Sequence, residues 1–381
     1  MSAHNFRKSK NNSKKPYPLT IAGFMSGTSL DGVDVAVIKT DGFQILEWGE
    51  HLTLPYPSEF QRRLKAILGT DVITREIVAV TKELMDYHIK AYKNLSSQST
   101  IHMLAVHGHT IFHDPRPTLK GIPPRTWQIC DPEYLQQALH KPIVYDFRSQ
   151  DIMNGGEGAP LVPIFHLALT KILEETADKP VIFLNMGGVS NVTLVPSSHP
   201  YDLLAGDMGP GNALINDYVF EHFGKPYDDG GTIALSAQPD RRIVNAWLGH
   251  PYFGRPFPKS LDRDTFKNIL GDVHSLPKEV SVATLSEFTV QAIVRFLPLL
   301  PKTLIVCGGG RKNQYFMKRL RSELSCSVID SDQLHYDGDA IEAQAFAFLG
   351  ARCYFGLTIS FPRTTGVAFP ICGGRFLPYY E

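Results

Sequence analysis

Short apolar runs of strand length, separated by polar turns that contain glycine, open both halves of the chain. In the first half Leu19–Phe24 and Val33–Ile38 flank such a turn, and in the second half Pro180–Asn185 and Val189–Val195 flank another. After each opening, patterns of helical and strand period alternate. This repeated organisation predicts an α/β protein with two lobes related by duplication.

The apolar spacing also predicts the elements that follow each opening. The predicted helices are Ser58–Leu68, Glu76–Leu95, Asn212–Phe223, Ser281–Leu297, one that begins near Asn313 and a long amphipathic one at Asp339–Phe355; the predicted strands are Met103–Val106 and Thr303–Cys307. We assign residues 1–16 to a disordered basic leader and 17–165 to an N-terminal lobe on the sugar and phosphate side. Residues 166–381 form a C-terminal lobe on the nucleotide side, whose last segment packs back on the first lobe.

Composition and charge exclude several classes of protein. The 381 residues hold 38 basic and 38 acidic side chains, and this balance argues against nucleic acid as the main partner. The chain has no run of about 18 uncharged apolar residues, so no membrane span is expected. The five cysteines are widely spaced without a metal-binding or paired pattern, which indicates a reducing compartment and a cytoplasmic protein.

The first glycine turn has the composition of a phosphate-binding loop. Its backbone N–H groups can bind phosphate oxygens, and Asp31 and Asp34 can hold Mg²⁺ directly or through water. The residues of this turn that we assign to ATP binding are Gly27, Thr28, Ser29, Leu30, Asp31, Gly32, Val33 and Asp34. The alternative is a plain glycine turn in a β-hairpin, which an isolated Gly-Thr-Ser fits equally well.

Two glycine-containing segments of the second half also favour phosphate binding. The backbone amides at a helix start after Pro210 favour an anion. Asp207, in a turn with glycines near it, is the candidate general base, and its alternative role is to cap that helix. The residues of these segments that we assign to nucleotide binding are Asn185, Gly187, Gly188, Gly209, Gly211 and Asn212.

A third glycine turn joins a buried strand to a helix and lets an adenosine moiety lie against bare backbone. The residues assigned to it are Gly308, Gly309, Gly310 and Asn313. The turn has neither the spacing of a dinucleotide-binding turn nor the Lys-Ser/Thr ending of a P-loop. Three separated glycine turns therefore favour an ATP cleft between two lobes.

Taken in order, these motifs resemble the anhydro-N-acetylmuramic acid kinases of the actin and sugar-kinase superfamily. The resemblance spans nearly everything after the leader and rests on Met25–Asp34, Tyr145–Arg148, Gly155–Pro160, Asn185–Asn191, Asp207–Asn212, Pro258–Ser260, Asp339–Phe346 and Phe361–Gly366. It implies a duplicated ribonuclease-H-like fold, ATP and Mg²⁺ as cofactors, Asp207 as the base, and a homodimer. It also implies a reaction of peptidoglycan recycling, in which the anhydro sugar is opened and phosphorylated to N-acetylmuramic acid 6-phosphate.

The chemistry of such a substrate is compatible with a single catalytic carboxylate. The oxygen on carbon six is part of an ether and has no proton for a base to remove, so the ether must break. Water activated by Asp207 can attack the anomeric carbon while the departing oxygen attacks the γ-phosphate. Mg²⁺ offsets the charge of the phosphates.

Four residues are assigned to the sugar from the resemblance and from their hydrogen-bonding capacity. They are His109, Gln128, Arg148 and Glu342. Arg148 can pair with the lactyl carboxylate of the sugar, or instead with Asp146 or Asp151. For Glu342 the alternative is a surface position on its helix.

The chain departs from the family pattern at some of these positions. His109 stands where the family has Gln, and Met208 stands where the family has Thr after the catalytic Asp. If that threonine hydroxyl lies in the cleft, its loss costs about 1 kcal/mol. The departures leave two alternatives, a kinase of another sugar or acid in the superfamily and an ATP-binding regulator without turnover.

Overall fold

The computed structural model describes residues 16–27, 30–117, 121–173, 179–334, 338 and 340–380. The strands in this part of the chain are β1 (Leu19–Ser26), β2 (Gly32–Thr40), β3 (Ile45–Pro55), β4 (Met103–Asp114), β5 (Arg125–Ile129), β6 (Ile143–Tyr145), β7 (Val181–Met186), β8 (Val189–Val195), β9 (Leu204–Pro210), β10 (Thr303–Cys307), β11 (Ser327–Asp330) and β12 (Arg375–Leu377). The α-helices are α1 (Ser58–Ala66), α2 (Arg75–Lys93), α3 (Pro132–Leu139), α4 (Ser149–Met153), α5 (Pro163–Ile172), α6 (Ala213–Phe223), α7 (Thr232–Leu235), α8 (Arg241–Trp247), α9 (Lys278–Phe296), α10 (Gln314–Glu323), α11 (Ile341–Tyr354) and α12 (Pro362–Thr365).

The strands form two sheets with the same internal order. The first sheet runs β3-β2-β1-β4-β6-β12, with β5 paired to β4, and the second runs β9-β8-β7-β10-β11. In each sheet the first three strands of the lobe are antiparallel neighbours. Two later strands extend the sheet in parallel, β4 and β6 in the first sheet and β10 and β11 in the second. The predicted duplication is therefore confirmed, and both sheets have the ribonuclease-H-like strand order.

Helices α5 and α11 lie between the two sheets. One buried cluster joins residues of both helices to apolar side chains of both sheets, such as Ile21 and Phe183. The outer face of the first sheet is covered by α1, α2 and α3. The outer face of the second sheet is covered by α6, α8, α9 and α10. The two lobes therefore share a central layer of helices.

Helix α11 differs from its predicted amphipathic form. All but three of the residues from Ile341 to Tyr354 are buried, because the helix is enclosed between the two sheets. It approaches β1 closely at Gly23, where a Cβ atom would lie 2.0 Å from the carbonyl oxygen of Ala343. Only glycine permits this approach. The result is that Glu342, in the first turn of α11, is held against the first sheet.

Two other predictions need correction. The strand predicted at Met103–Val106 continues to Asp114, because β5 pairs with its second half as a hairpin. Asp207 lies within strand β9 and not in a turn.

The ends of the chain are only partly described. Strand β12 pairs antiparallel with β6, which places Arg375–Leu377 on the first sheet. The predicted leader lies almost entirely outside the described residues, and the lobe boundary near residue 165 stays a prediction. In the described ranges, no helix combines the length and the apolar character that a bilayer crossing requires.

Candidate active site

The glycine segments of the second lobe contact one another directly. The N–H groups of Gly211 and Asn212 donate to the carbonyl oxygens of Gly188 and Gly187 over 2.9 and 2.8 Å. At Gly308, a Cβ atom would lie 2.2 Å from the side-chain oxygen of Asn185. The segments at 185–188, 209–212 and 308–313 therefore form one surface of closely packed backbone.

The start of helix α6 packs against the first glycine turn of the second lobe. Its first amides, including those of Asn212 and Ala213, donate to the carbonyl oxygens of the Gly187-Gly188 turn. The amides of Asn212 and Ala213 are therefore used within the protein, and an anion at the rest of this helix start stays a prediction. The Asn212 side chain donates to Met186 O over 2.9 Å, which adds to the same contact.

The third glycine turn leaves open space at its centre. A Cβ atom on Gly309 would meet no atom within 4 Å. Asn313 caps helix α10, since its side-chain oxygen accepts from Tyr315 N over 2.9 Å. Next to this helix start is an open groove of about 640 Å³, lined by Leu235, Gln314, Met317, Lys318, Arg321 and Ser322. Asp207 is not among the residues that line this groove.

The first glycine turn is strained at Leu30. Its φ of 61° is left-handed, and its N–H donates to Gly27 O over 3.1 Å. Such a conformation in a non-glycine residue costs on the order of 1 kcal/mol and is common at ligand-binding turns. The Val33 side chain is fully buried in the core, so only its backbone can meet a ligand. Thr28 and Ser29 lie outside the described residues.

The two aspartates of this turn differ in exposure but lie near the same residue, Tyr56. Asp31 is exposed, whereas Asp34 is partly buried and accepts a hydrogen bond from Thr53 Oγ1 over 2.5 Å. The charges of both carboxylates act on Tyr56, whose hydroxyl pKa is raised mainly by burial. Asp31 and Asp34 therefore lie on the same side of the first lobe as the turn.

His109 lies beneath the turn and not on the surface of the cleft. Its ring is fully buried, and Nδ1 is 3.0 Å from Ser26 Oγ, the residue before Gly27. The Tyr56 hydroxyl donates to the same Ser26 oxygen over 2.8 Å. Burial lowers the pKa of His109 to about 4, so the ring is neutral at physiological pH. In this conformation His109 supports the turn from below.

Arg148 and Glu342 lie close together at the edge of the first lobe. Arg148 Nε donates to His107 Nε2 over 2.9 Å, and its Nη1 donates to Gly158 O over 2.7 Å. Burial lowers the pKa of Arg148 to about 10, and the charge of Glu342 partly opposes this. Burial raises the pKa of Glu342, Arg148 lowers it and Asp31 raises it further. Arg148, Glu342 and Asp31 are thus electrostatic neighbours.

The alternatives for these two residues are not supported. Asp146 pairs with Arg375 at 2.9 Å and not with Arg148. Asp151 accepts hydrogen bonds from Gly158 N and Thr365 Oγ1, both over 2.6 Å, and acts on Arg148 only through its charge. Glu342 is only partly exposed, so it is not a surface residue of its helix.

Gln128 lies on the β4–β5 hairpin. Its amide nitrogen donates to Thr126 Oγ1 over 2.7 Å and to Thr110 Oγ1 over 3.1 Å. These bonds fix the orientation of the amide within the hairpin. Its predicted contact with a sugar stays a prediction.

Asp207 is held from three directions. Its N–H donates to Lys259 O over 2.8 Å, and its carbonyl oxygen accepts from the Tyr252 hydroxyl over 2.7 Å. Its carboxylate oxygen Oδ2 accepts from the backbone N–H of Leu261 over 2.7 Å. The carboxylate therefore does not cap helix α6, and that alternative is wrong.

The electrostatic environment of Asp207 is that of a base. Burial raises the pKa of its carboxyl group to about 7, the hydrogen bond from Leu261 lowers it, and the charges of Glu157 and Lys259 act in opposite directions. A carboxylate with a pKa near neutrality can accept a proton efficiently at physiological pH. Asp207 can thus take a proton from a bound water molecule.

Met208 changes the site less than its sequence position suggested. Its side chain is fully buried and belongs to the core of the second lobe. Because neighbouring side chains on a strand point to opposite faces, Asp207 and residue 208 do not share a surface. Replacing a threonine there removes no hydroxyl from the cleft.

Sequence reasoning passed over two charged residues near Asp207. Glu157 and Lys259 are both 4% exposed. Glu157 accepts from Ser260 Oγ over 3.2 Å, and the Lys259 ammonium lies 4.7 Å from the centre of the Tyr252 ring. Glu157 and Lys259 lie inside two motifs of the family resemblance, Gly155–Pro160 and Pro258–Ser260. Their position in these motifs could have identified them as functional residues from the sequence.

Comparisons with known proteins agree with one another. Residues 19–378 match the family model for anhydro-N-acetylmuramic acid kinase. A protein named anhydro-N-acetylmuramic acid kinase from Gluconobacter oxydans is 43% identical over 365 residues, which cover 93% of this chain and 98% of that protein. A protein of the same name from Acidiphilium cryptum is 40% identical and covers 93% and 97%.

Solved structures give a more distant likeness. A ROK family glucokinase from Streptomyces griseus, in complex with glucose and AMPPNP, covers 87% of this chain and 99% of its own, with a TM-score of 0.37 and 12% identity. At this similarity we draw no conclusion from it.

Proposed function

The chain belongs to the anhydro-N-acetylmuramic acid kinase family, and on that premise we propose that Asp207 is the general base of its reaction. The protein is an enzyme, an ATP-dependent kinase of peptidoglycan recycling that opens 1,6-anhydro-N-acetylmuramic acid and phosphorylates it. The observation that carries the assignment of Asp207 is its carboxylate, oriented by Leu261 N–H and with a pKa raised to about 7.

In the proposed mechanism Asp207 removes a proton from water as the water attacks the anomeric carbon. The bond between that carbon and the bridging oxygen breaks, and this oxygen attacks the γ-phosphate of ATP, with ADP as the leaving group. Orientation by Leu261 and the backbone contacts of Lys259 keep the carboxylate fixed during this step. Preorganisation of this kind lowers the cost of reaching the reactive geometry.

We place ATP against the glycine segments of both lobes. The phosphates contact the turn at Gly27–Asp34, and the nucleotide continues along the surface formed by 185–188 and 308–310. The strain at Leu30 and the open space at Gly309 support this placement. The groove along α10 begins at Gln314, the residue after Asn313, and we assign the adenosine moiety to it.

Asp31 is the residue that would hold Mg²⁺. It is an exposed carboxylate at the first turn, with a second carboxylate, Glu342, near enough to sense its charge. A site with few protein oxygens suits Mg²⁺, which keeps several waters and binds mainly through substrate phosphates. Bound there, the ion would offset negative charge on the phosphates of ATP.

Arg148 and Glu342 are the proposed sugar-binding pair. Arg148 retains hydrogen-bond donors beyond the two used for His107 and Gly158, and a guanidinium suits the lactyl carboxylate. We also assign Gln128 to sugar binding, through the part of its amide that its hydrogen bonds to Thr126 and Thr110 leave unused. For His109 we propose an indirect role, through Ser26 and the phosphate turn.

A coupled assay tests the function directly. We expect ADP release that requires 1,6-anhydro-N-acetylmuramic acid, with N-acetylmuramic acid 6-phosphate as the product. Asp207→Asn keeps the shape of the side chain and serves as the control. Equal turnover by this variant and the wild type would remove Asp207 from the mechanism, and equal turnover with unrelated sugars would remove the substrate assignment.

The family resemblance also supports a cytoplasmic homodimer. Light scattering of the purified protein at several concentrations measures the mass in solution. A monomer at all concentrations would contradict the dimer.

A further inference from the structure

Glu157 joins parts of both lobes next to the proposed base. It lies on the loop after α4, and its Oε2 accepts from Ser260 Oγ over 3.2 Å. Its other oxygen pairs with Arg116, which follows β4 and is 66% exposed. Its backbone N–H donates to Thr365 O over 2.6 Å. Two separate segments therefore fix the carboxylate, and a third fixes the backbone of Glu157.

The turn that Glu157 contacts is the one that holds Asp207. Ser260 binds Glu157, and the next residue, Leu261, donates its N–H to the Asp207 carboxylate. The preceding residue, Lys259, accepts the Asp207 N–H through its carbonyl oxygen. Residues 259–261 thus connect the two carboxylates through one short segment of backbone.

The charges that surround Asp207 have opposite effects on it. Glu157 raises its pKa beyond the effect of burial, while the Lys259 ammonium and the N–H of Leu261 lower it. Burial and the charge of Arg255 lower the pKa of Lys259, and the Tyr252 hydroxyl donates to the Asp207 carbonyl oxygen. Arg116 offsets part of the negative charge of Glu157 from the solvent side.

We propose that Glu157 is a positioning residue for this reaction: it fixes the turn that orients Asp207, and its negative charge makes Asp207 a stronger base, to an extent limited by Arg116. This inference rests on the function proposed above for Asp207. Glu157 affects the reaction through Asp207 and does not need to contact either substrate.

The test compares Glu157→Gln and Arg116→Gln. A glutamine at 157 can still accept the Ser260 hydrogen bond, so the geometry is kept while the charge is lost. The acid limb of kcat/KM against pH is measured with 1,6-anhydro-N-acetylmuramic acid and ATP. We expect it to move down by about 0.5–1 pH unit in Glu157→Gln and up by a smaller amount in Arg116→Gln.

A substrate-free measurement accompanies the kinetics. The Tm change caused by Asp207→Asn is recorded against pH in the wild-type and Glu157→Gln backgrounds. This change levels off at the folded-state pKa of Asp207, so the pH at which it levels off should fall in the Glu157→Gln background. This cycle tests the inference even if the wild type does not turn over the sugar, an outcome that would overturn only the proposed function.

Opposite shifts in the two variants support the proposal. A lower rate with an unmoved acid limb in both variants would show that Glu157 is only structural and would overturn it, as would shifts in the same direction. If Glu157→Gln does not fold, Arg116→Gln decides the question, because the exposed Arg116 side chain can be changed without disturbing the core. An unshifted acid limb of kcat/KM in Arg116→Gln would then overturn the proposal.

Discussion

The backbone N–H of Leu261 lies 2.7 Å from Oδ2 of Asp207. One carboxylate oxygen is thereby used to hold the group in place, and the other remains available to a substrate. The backbone of Asp207 is also fixed: its N–H donates to the carbonyl oxygen of Lys259, and its carbonyl oxygen accepts from the Tyr252 hydroxyl. A catalytic base on a strand, with its rotamer fixed by a neighbouring turn, meets the requirement for a preorganised site.

The raised pKa of Asp207 predicts the pH dependence of the enzyme. Because the base must be deprotonated, kcat/KM should rise about tenfold per pH unit below about pH 7 and level off above it. Direct measurement of the phosphorylated sugar from pH 5 to 9 avoids effects on coupling enzymes. A profile that is flat between pH 5.5 and 8 would contradict this assignment of the base.

The same shift predicts that Asp207 reduces stability at high pH. Its pKa in the folded state is about 7, above the unfolded value of 3.8, so the folded state binds more protons between these values and loses stability as pH rises through them. Asp207→Asn should therefore raise the free energy of unfolding at pH 8, by at most about 4 kcal/mol. At pH 4 the two proteins should be alike. Urea unfolding at both pH values measures the difference, and a variant that is less stable at pH 8 would refute the prediction.

The duplicated fold was predictable because its signal is local. Strand-length apolar runs around glycine turns recur in both halves, and each run became a strand of the expected sheet. The burial of α11 was not predictable in the same way, because its enclosure depends on two sheets that meet from distant parts of the chain. The alanines of α11 that face Gly23 were the sequence feature that could have indicated this burial.

The candidate site was predictable in its residues more than in its contacts. The pattern located Asp207, yet only the fold shows that it lies on a strand and is held by Leu261. His109 and Arg148 were both assigned to the sugar, but burial separates them, since His109 lies under the first turn and Arg148 lies beside Glu342. Glu157 and Lys259 were passed over because a charge near another charge is visible only in three dimensions.

Restoring the family threonine at Met208 should not improve the enzyme. The Met208 side chain is fully buried in an apolar cluster, so Met208→Thr would leave a cavity and bury a hydroxyl. We expect a loss of about 2 kcal/mol in the free energy of unfolding and no increase in kcat. Met208→Leu, which keeps the volume, is the control and should cost less than about 1.5 kcal/mol. A gain in kcat for Met208→Thr would place this position in the cleft after all.

Arg148 provides the sharpest test of the sugar assignment. Arg148→Lys keeps a positive charge but loses the fork that donates to both His107 and Gly158. We expect kcat/KM for the anhydro sugar to fall about 100-fold, since truncating a buried, hydrogen-bonded charge partner costs roughly 2–5 kcal/mol. With 1,6-anhydro-N-acetylglucosamine, which lacks the lactyl carboxylate, the wild type starts from a lower value and the variant should lose less than about threefold. Arg375→Gln removes the arginine of the ion pair with Asp146, in which Arg375 is exposed and Asp146 half-buried. It is the control and should leave the rates with both sugars unchanged. Equal losses for the two sugars in Arg148→Lys would mean that Arg148 supports the fold of this edge and does not recognise the lactyl group.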